Sequence, residues 1–116
     1  KETGATVEVI PELELELYTI KTRFPAIKSQ IINDFSNKSP GKTVILWEIT
    51  GRNVRFSARR QDGKVKVNEL LENAIEGIPD SNAGGHAPAA AGGVPKEFFE
   101  KFKEQLIREL EKIYKK

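Results

Sequence analysis

Val44-Ile45-Leu46-Trp47-Glu48-Ile49 is almost continuously apolar, the pattern of a central strand buried on both faces of a sheet. A chain that carries such a strand must cover it on two sides, and the flanking segments supply the material. Upstream, Leu13, Leu15 and Leu17 alternate with Glu12, Glu14 and Glu16. This period-2 pattern predicts a half-buried strand whose glutamates form one exposed face. A short strand over Thr6 to Ile10 precedes it, separated by Pro11, which cannot donate to a ladder. Downstream, Gly51-Arg52 makes a tight turn into a further strand. On that strand Val54, Phe56 and Ala58 point one way and Asn53, Arg55, Ser57 and Arg59 the other, before Asp62-Gly63 ends it.

The helices are read from a different period. After Pro25, Ile27, Ile31 and Phe35 recur every four positions and predict a short amphipathic helix, broken by the turn residues from Asn37 to Gly41. Val67, Leu70, Leu71, Ala74 and Ile75 predict a second, with Asn68 as its cap and Gly77 as its stop. From Pro95 to Tyr114, Phe98, Phe99, Phe102, Leu106, Leu110 and Ile113 form one apolar stripe, with Pro95 in the first turn. The expected fold is a single α/β domain: a mixed β-sheet of about five strands flanked by helices, with a long C-terminal helix. Residues 1–42 hold the N-terminal strands and short helix, and residues 43–116 the rest.

Composition narrows the chemistry. With 38% hydrophobic and 31% charged residues the 116-residue chain is globular. Its net charge of +2 is too balanced to indicate a nucleic-acid partner, so a basic site must come from local clustering. The absence of cysteine excludes disulfides, zinc-thiolate sites and thiol catalysis, and suits a cytoplasmic protein. No apolar run approaches the ~18 residues of a membrane span. The sequence starts at Lys1 and lacks methionine, so it is expected to be a piece of a longer protein. Abundant Lys, Glu and Ile suggest a thermophilic source.

Two segments carry candidate chemistry. The first is Asn82-Ala83-Gly84-Gly85-His86-Ala87-Pro88-Ala89-Ala90-Ala91-Gly92-Gly93. As a flexible linker it would favour Ser, Thr or charge, and it would cut the final helix away from the sheet that needs its apolar stripe. As a phosphate cradle, its glycines let backbone N–H groups converge on an anion where no Cβ blocks approach. His86, the only histidine, then sits at the rim as a phosphate donor, a proton-transfer group or a structural cap. The second is the cluster of Arg52, Arg55, Arg59 and Arg60, with Lys64 and Lys66 following. Arg55, Ser57 and Arg59 share a strand face, where a guanidinium and a hydroxyl can hold one phosphate; the alternative is a solvated face. No clustered Asp and His offer metal ligands.

Val54-Arg55-Phe56-Ser57-Ala58-Arg59-Arg60, the helix near Val67-Asn68, and Ala83-Gly84-Gly85-His86-Ala87-Pro88-Ala89-Ala90-Ala91-Gly92 together resemble the DHH-associated domain. That domain is the C-terminal lobe of RecJ-like exonucleases, short-RNA oligoribonucleases and related phosphatases, and a related lobe ends alanyl-tRNA synthetases. The resemblance covers residues 43–114; Arg60 replaces a serine and Ala83 a glycine of the family pattern. It implies a substrate-binding lobe that closes on a metal-dependent catalytic lobe. It matches Arg59, Ser57, Gly84, Gly85 and His86 to the phosphate- or nucleotide-binding positions, with His86 a catalytic candidate in the full enzyme, while strand geometry and charge add Arg55 and Arg60. The implied partners are single-stranded DNA or RNA or a nucleotide phosphate, and the N-terminal lobe of the same polypeptide. Divalent metal, manganese, belongs to that lobe, with no cofactor and no membrane partner in this chain. The alternatives are a stand-alone nucleic-acid-binding module and a protein-interaction lobe of a replication or repair assembly that uses the final helix.

Overall fold

A computed structural model describes residues 6–20 and 28–114. Its elements in chain order are β1 (Thr6–Ile10), a 3-10 turn (Pro11–Leu13), β2 (Leu15–Ile20), α1 (Lys28–Lys38), β3 (Thr43–Thr50), β4 (Asn53–Arg59) and α2 (Val67–Ala74). These are followed by β5 (Asn82–His86), β6 (Ala89–Pro95), a 3-10 turn (Lys96–Phe98) and α3 (Phe99–Tyr114). The strands form one six-stranded sheet in the order β1-β2-β3-β4-β6-β5. Only β2 and β3 pair in parallel, and α1 lies in the crossover between them, as a parallel pair requires.

The apolar run forms the interior strand β3, and every residue from Val44 to Trp47 is buried. Ile45 and Trp47 face α2 and α3, where they join Leu15, Leu17, Phe56, Leu71, Phe102, Leu106 and Leu110 in the main core. Phe56 stacks on Phe102 at 4.5 Å between centroids, and Trp47 meets Phe99 edge-on at 4.8 Å. The α3 stripe is thus taken up by this domain's own core, with Ile113 exposed at its end. On the opposite face α1 lies over β3 and β4, where Ile32 closes a smaller cluster with Val44, Leu46 and Tyr18. Ile27 lies outside the described residues, as do the side chains of Ile31 and Phe35.

Four expectations change. The sheet has six strands because the Gly/Ala-rich segment forms a hairpin, β5–β6, instead of an anion loop. Pro95 ends β6, and α3 starts after a 3-10 turn. Lys66, not Asn68, occupies the N-cap of α2 and makes no side-chain cap bond. The Val67 N–H instead donates to the carbonyl of Ala87 in the hairpin turn at 2.9 Å. Finally, the three glutamates do not share one face. Glu14 takes a left-handed conformation with φ 51°, which breaks the alternation. Glu16 accepts hydrogen bonds from Tyr18 and Ser39, both 3.0 Å long.

Glu14 instead meets Arg60, which is 1% exposed. Arg60 Nε and Nη2 donate to the two Asp62 oxygens at 2.6 and 2.9 Å, and Nη2 also reaches Glu14 Oε1 at 2.9 Å. Nη1 donates to the hydroxyls of Tyr114 and Thr43, and Tyr114 donates onward to Glu14 at 2.9 Å. One guanidinium therefore ties the start of β2, the start of β3, the loop after β4 and the end of α3. Burial alone would lower the Arg60 pKa, but its bonds to Asp62 and Glu14 raise it above the ordinary value. The Arg60 bonds in turn hold both carboxyls below their usual range, with Tyr114 assisting at Glu14 and the Lys64 backbone N–H at Asp62.

Removing the charge and removing its partners have unequal effects. Arg60→Met, which keeps the volume, is expected to cost about 1–3 kcal/mol in urea unfolding. The double variant Glu14→Gln/Asp62→Asn strands a buried guanidinium and is expected to cost more. Because both carboxyl pKa values are depressed on folding, the stability they contribute is complete above the unfolded carboxylate range, about pH 4. It is lost as pH falls below that range through the folded values. Acid unfolding monitored by Trp47 fluorescence should show this dependence in the parent chain and much less of it in Arg60→Met.

Candidate functional site

The ladders place the predicted site residues in transverse rows. Arg59 lies opposite Ala89 and Ala89 opposite His86; Ser57 opposite Ala91 and Ala91 opposite Gly84; Arg55 opposite Gly93 and Gly93 opposite Asn82. Directly opposed residues point to the same face, so all nine share the face on which α1 lies over β3 and β4. Beyond α1 the face has a floor of Ala89, Ala91, Gly93 and Gly84. Arg55, His86 and Asn82 are exposed around it, Arg59 is half-buried, and Ser57 is buried. Arg59 and His86 flank Ala89 at Cα positions about 10 Å apart, two strand spacings.

The two adjacent arginines have opposite fates, because strand alternation sends neighbouring side chains to opposite faces. Arg60 is a structural residue, and its guanidinium is committed to Asp62, Glu14, Tyr114 and Thr43. That corrects its expected place among the phosphate ligands. Arg59 Nε donates to Asn33 Oδ1 of α1 at 2.9 Å, and Nη1 to the Ala58 carbonyl at 2.9 Å. These bonds aim the guanidinium without neutralising it, and no carboxylate among the described residues pairs with it. Partial burial lowers its pKa from the ordinary arginine value. Asn33 escapes a sequence reading because its link to Arg59 spans 26 positions and leaves no local signal. Lys64 is drawn away from the face, to Glu14 at 3.5 Å and over the Tyr114 ring at 4.7 Å.

The glycines also divide. Gly85 has φ +143°, and a Cβ there would lie 2.6 Å from both the Ala89 carbonyl oxygen and the Ala90 Cα. A Cβ at Gly92 would strike the Asn82 carbonyl, the Ala83 Cα and the Phe56 ring. Both are required by close strand approach and ring packing. Gly84 has no such reason: a Cβ there meets nothing within 4 Å. Its missing side chain leaves open space beside the row that holds Ser57 and Ala91.

The hairpin turn is pinned at its tip, since the Arg60 N–H donates to the Pro88 carbonyl at 3.0 Å and the Val67 N–H to that of Ala87. His86, the last residue of β5, is therefore placed by β4, β6 and α2 together. Among the described residues no group of three His, Cys, Asp or Glu can hold a metal ion. Also among these residues, no helix is long and apolar enough to cross a membrane. The face offers an imidazole, a small-residue floor and the guanidinium groups of Arg55 and Arg59, neither with a carboxylate partner among the described residues. This arrangement suits holding a phosphorylated ligand against a flat surface.

The sequence model of the DHHA1 domain matches residues 19–114. No curated protein matches the sequence at significance. The C-Ala domain of Aquifex aeolicus alanyl-tRNA synthetase superposes with a TM-score of 0.68 at 18% identity, covering 94% of this chain and 97% of that one. RecJ of Thermus thermophilus, solved in complex with Mn2+, gives a TM-score of 0.68 at 17% identity, covering 88% of this chain and 14% of RecJ. The pGpG-specific phosphodiesterase PggH of Vibrio cholerae gives 0.59 at 17% identity, covering 90% of this chain and 34% of PggH. At these identities the likeness is one of fold, and the chain spans nearly all of the C-Ala domain but only a minor part of either phosphoesterase. With its family match extending over β3 to α3 and the Gly-Gly-His hairpin, the chain belongs to the DHHA1 domain family.

Proposed function

We propose that this chain is the substrate-binding lobe of a RecJ-like, DHH-family phosphoesterase or exonuclease. In this reading it holds the phosphate of a terminal nucleotide while a separate lobe supplies the divalent metal, manganese, and the chemistry. The observation that carries the reading is the shared face of Arg59, Ser57, Gly84 and His86, in adjacent rows that run from β4 to the exposed His86 on β5. Arg59, aimed by Asn33, supplies the charge that meets a phosphate oxygen. His86 approaches from the other side of Ala89 as a second donor, and in the assembled enzyme it also stands ready to move a proton. Gly84 leaves the floor open for the sugar-phosphate chain. The ligand is single-stranded DNA or RNA or a nucleotide, met in the cytoplasm.

The near-complete coverage of the C-Ala domain supports a second reading, a stand-alone module that binds folded RNA. The two readings differ in ligand. A binding lobe prefers a mononucleotide or short single strand, whereas a stand-alone module prefers a folded tRNA.

An NMR titration of the chain with a 5′-mononucleotide and a short single strand, at low and moderate salt, separates them. Shifts confined to residues 55–59 and 84–86 are expected. The logarithm of affinity should fall with the logarithm of salt at a slope of about −1.4 if two phosphates are neutralised on a single strand. Arg59→Gln should weaken binding about tenfold. Tighter binding of folded tRNA, with shifts elsewhere, would favour the second reading. The glycines supply a control in the same experiment. Gly84→Val should weaken binding and leave the urea midpoint nearly unchanged, whereas Gly85→Ala should lower the midpoint.

A further inference from the structure

We infer that the open face holds two phosphates rather than one, with Arg55 and Asn82 forming a second anion subsite beside the Arg59–His86 row. This rests on the phosphate-binding reading proposed above and specifies its ligand: an oligonucleotide of at least two phosphates, not a mononucleotide.

Arg55 is not fixed by side-chain bonds of the kind that hold Arg59 and Arg60. It is exposed and makes no hydrogen bond or ion pair with another described residue, in contrast to Arg59, held by Asn33, and Arg60, buried among four partners. In register it lies opposite the buried Glu48 on one side and Gly93 on the other. Gly93 carries no side chain, so the space beside Arg55 opens toward Gly93 and Asn82. A Cβ at Gly93 would touch only the Val54 carbonyl oxygen, at 3.4 Å. Asn82, at the far end of the same row, is exposed and brings an amide donor. Each end of the face thus pairs an arginine on β4 with a polar donor on β5 across a small residue on β6: Arg59, Ala89 and His86 at one end, Arg55, Gly93 and Asn82 at the other.

The spacing suits a polymer. The two end rows lie four residues apart along β4, roughly 13 Å between Cα positions. The middle row of Ser57, Ala91 and Gly84 has no long side chain to block a nucleotide lying between the two phosphates.

The test compares the affinities of a 5′-mononucleotide and a 5′-phosphorylated dinucleotide for the parent chain, Arg55→Gln and Arg59→Gln, by NMR titration at fixed salt. Thermal unfolding confirms that each variant folds. The dinucleotide is expected to bind the parent about tenfold more tightly. Arg55→Gln should bring the ratio of the two affinities close to one, whereas Arg59→Gln weakens both ligands and leaves the ratio largely intact. A dinucleotide that binds no more tightly than the mononucleotide overturns the second subsite, as does a ratio that Arg55→Gln leaves unchanged. In either case mononucleotide binding at Arg59 and His86 would still stand. Failure of both ligands to bind overturns the phosphate-binding reading as well.

Discussion

Seven consecutive pairs join β4 to β6, from Asn53 opposite Pro95 to Arg59 opposite Ala89, and the parity of that ladder decides which side chains reach solvent. Residues 54, 56 and 58 enter the core beneath α2 and α3, and residues 55, 57 and 59 face the open side. A slip of one residue would drive Arg55 and Arg59 into the apolar layer and bring Phe56 out of it, so core burial itself enforces the register. The stacking of Phe56 on Phe102 and the tight seat of the Phe56 ring beside Gly92 lock the same parity from below. The arrangement of the site is therefore a by-product of packing on the reverse of the sheet.

That parity also explains how far the sequence can be read. The apolar run of β3, the alternation of β4 and the α3 stripe are strong signals in the hydrophobic pattern, and each forms the element it predicts. The segment from Asn82 to Gly93 carries no such signal, because Ala and Gly have little intrinsic preference for strands. Its strand character comes from the pairing of β5 with β6 and of β6 with β4, the latter a tertiary effect that no local window contains. Arg60 is misplaced by sequence reasoning for a related cause. Counting charge puts it beside Arg59, but its side chain leaves on the other side of the sheet and meets Glu14, 46 positions away. Glu14 itself misleads because a single left-handed residue before β2 breaks an alternation that otherwise looks continuous.

Adjacent arginines in this chain show that charge alone does not define a site. Arg60 is surrounded by acceptors, and its donors hold the sheet to the end of α3. Arg59 receives one side-chain oxygen from α1 and keeps its charge uncompensated among the described residues. Structures that share this fold at 16–18% identity carry different names: a synthetase domain, a member of a ribosomal-protein family and a phosphodiesterase. Family membership therefore sets the fold, and a member's ligand has to be argued from its own side chains.

The hairpin turn at the end of that face has an electrostatic consequence. Both carbonyls of Ala87-Pro88 already accept backbone N–H groups, one from the first turn of α2 and one from the end of β4. Their negative ends are turned into the protein and partly neutralised there. The rim beside His86 thus carries less outward acceptor density than an ordinary exposed turn, which favours the anion proposed to bind there. By giving the first donor of α2 a partner, the fold also lowers the negative potential at that end of the face.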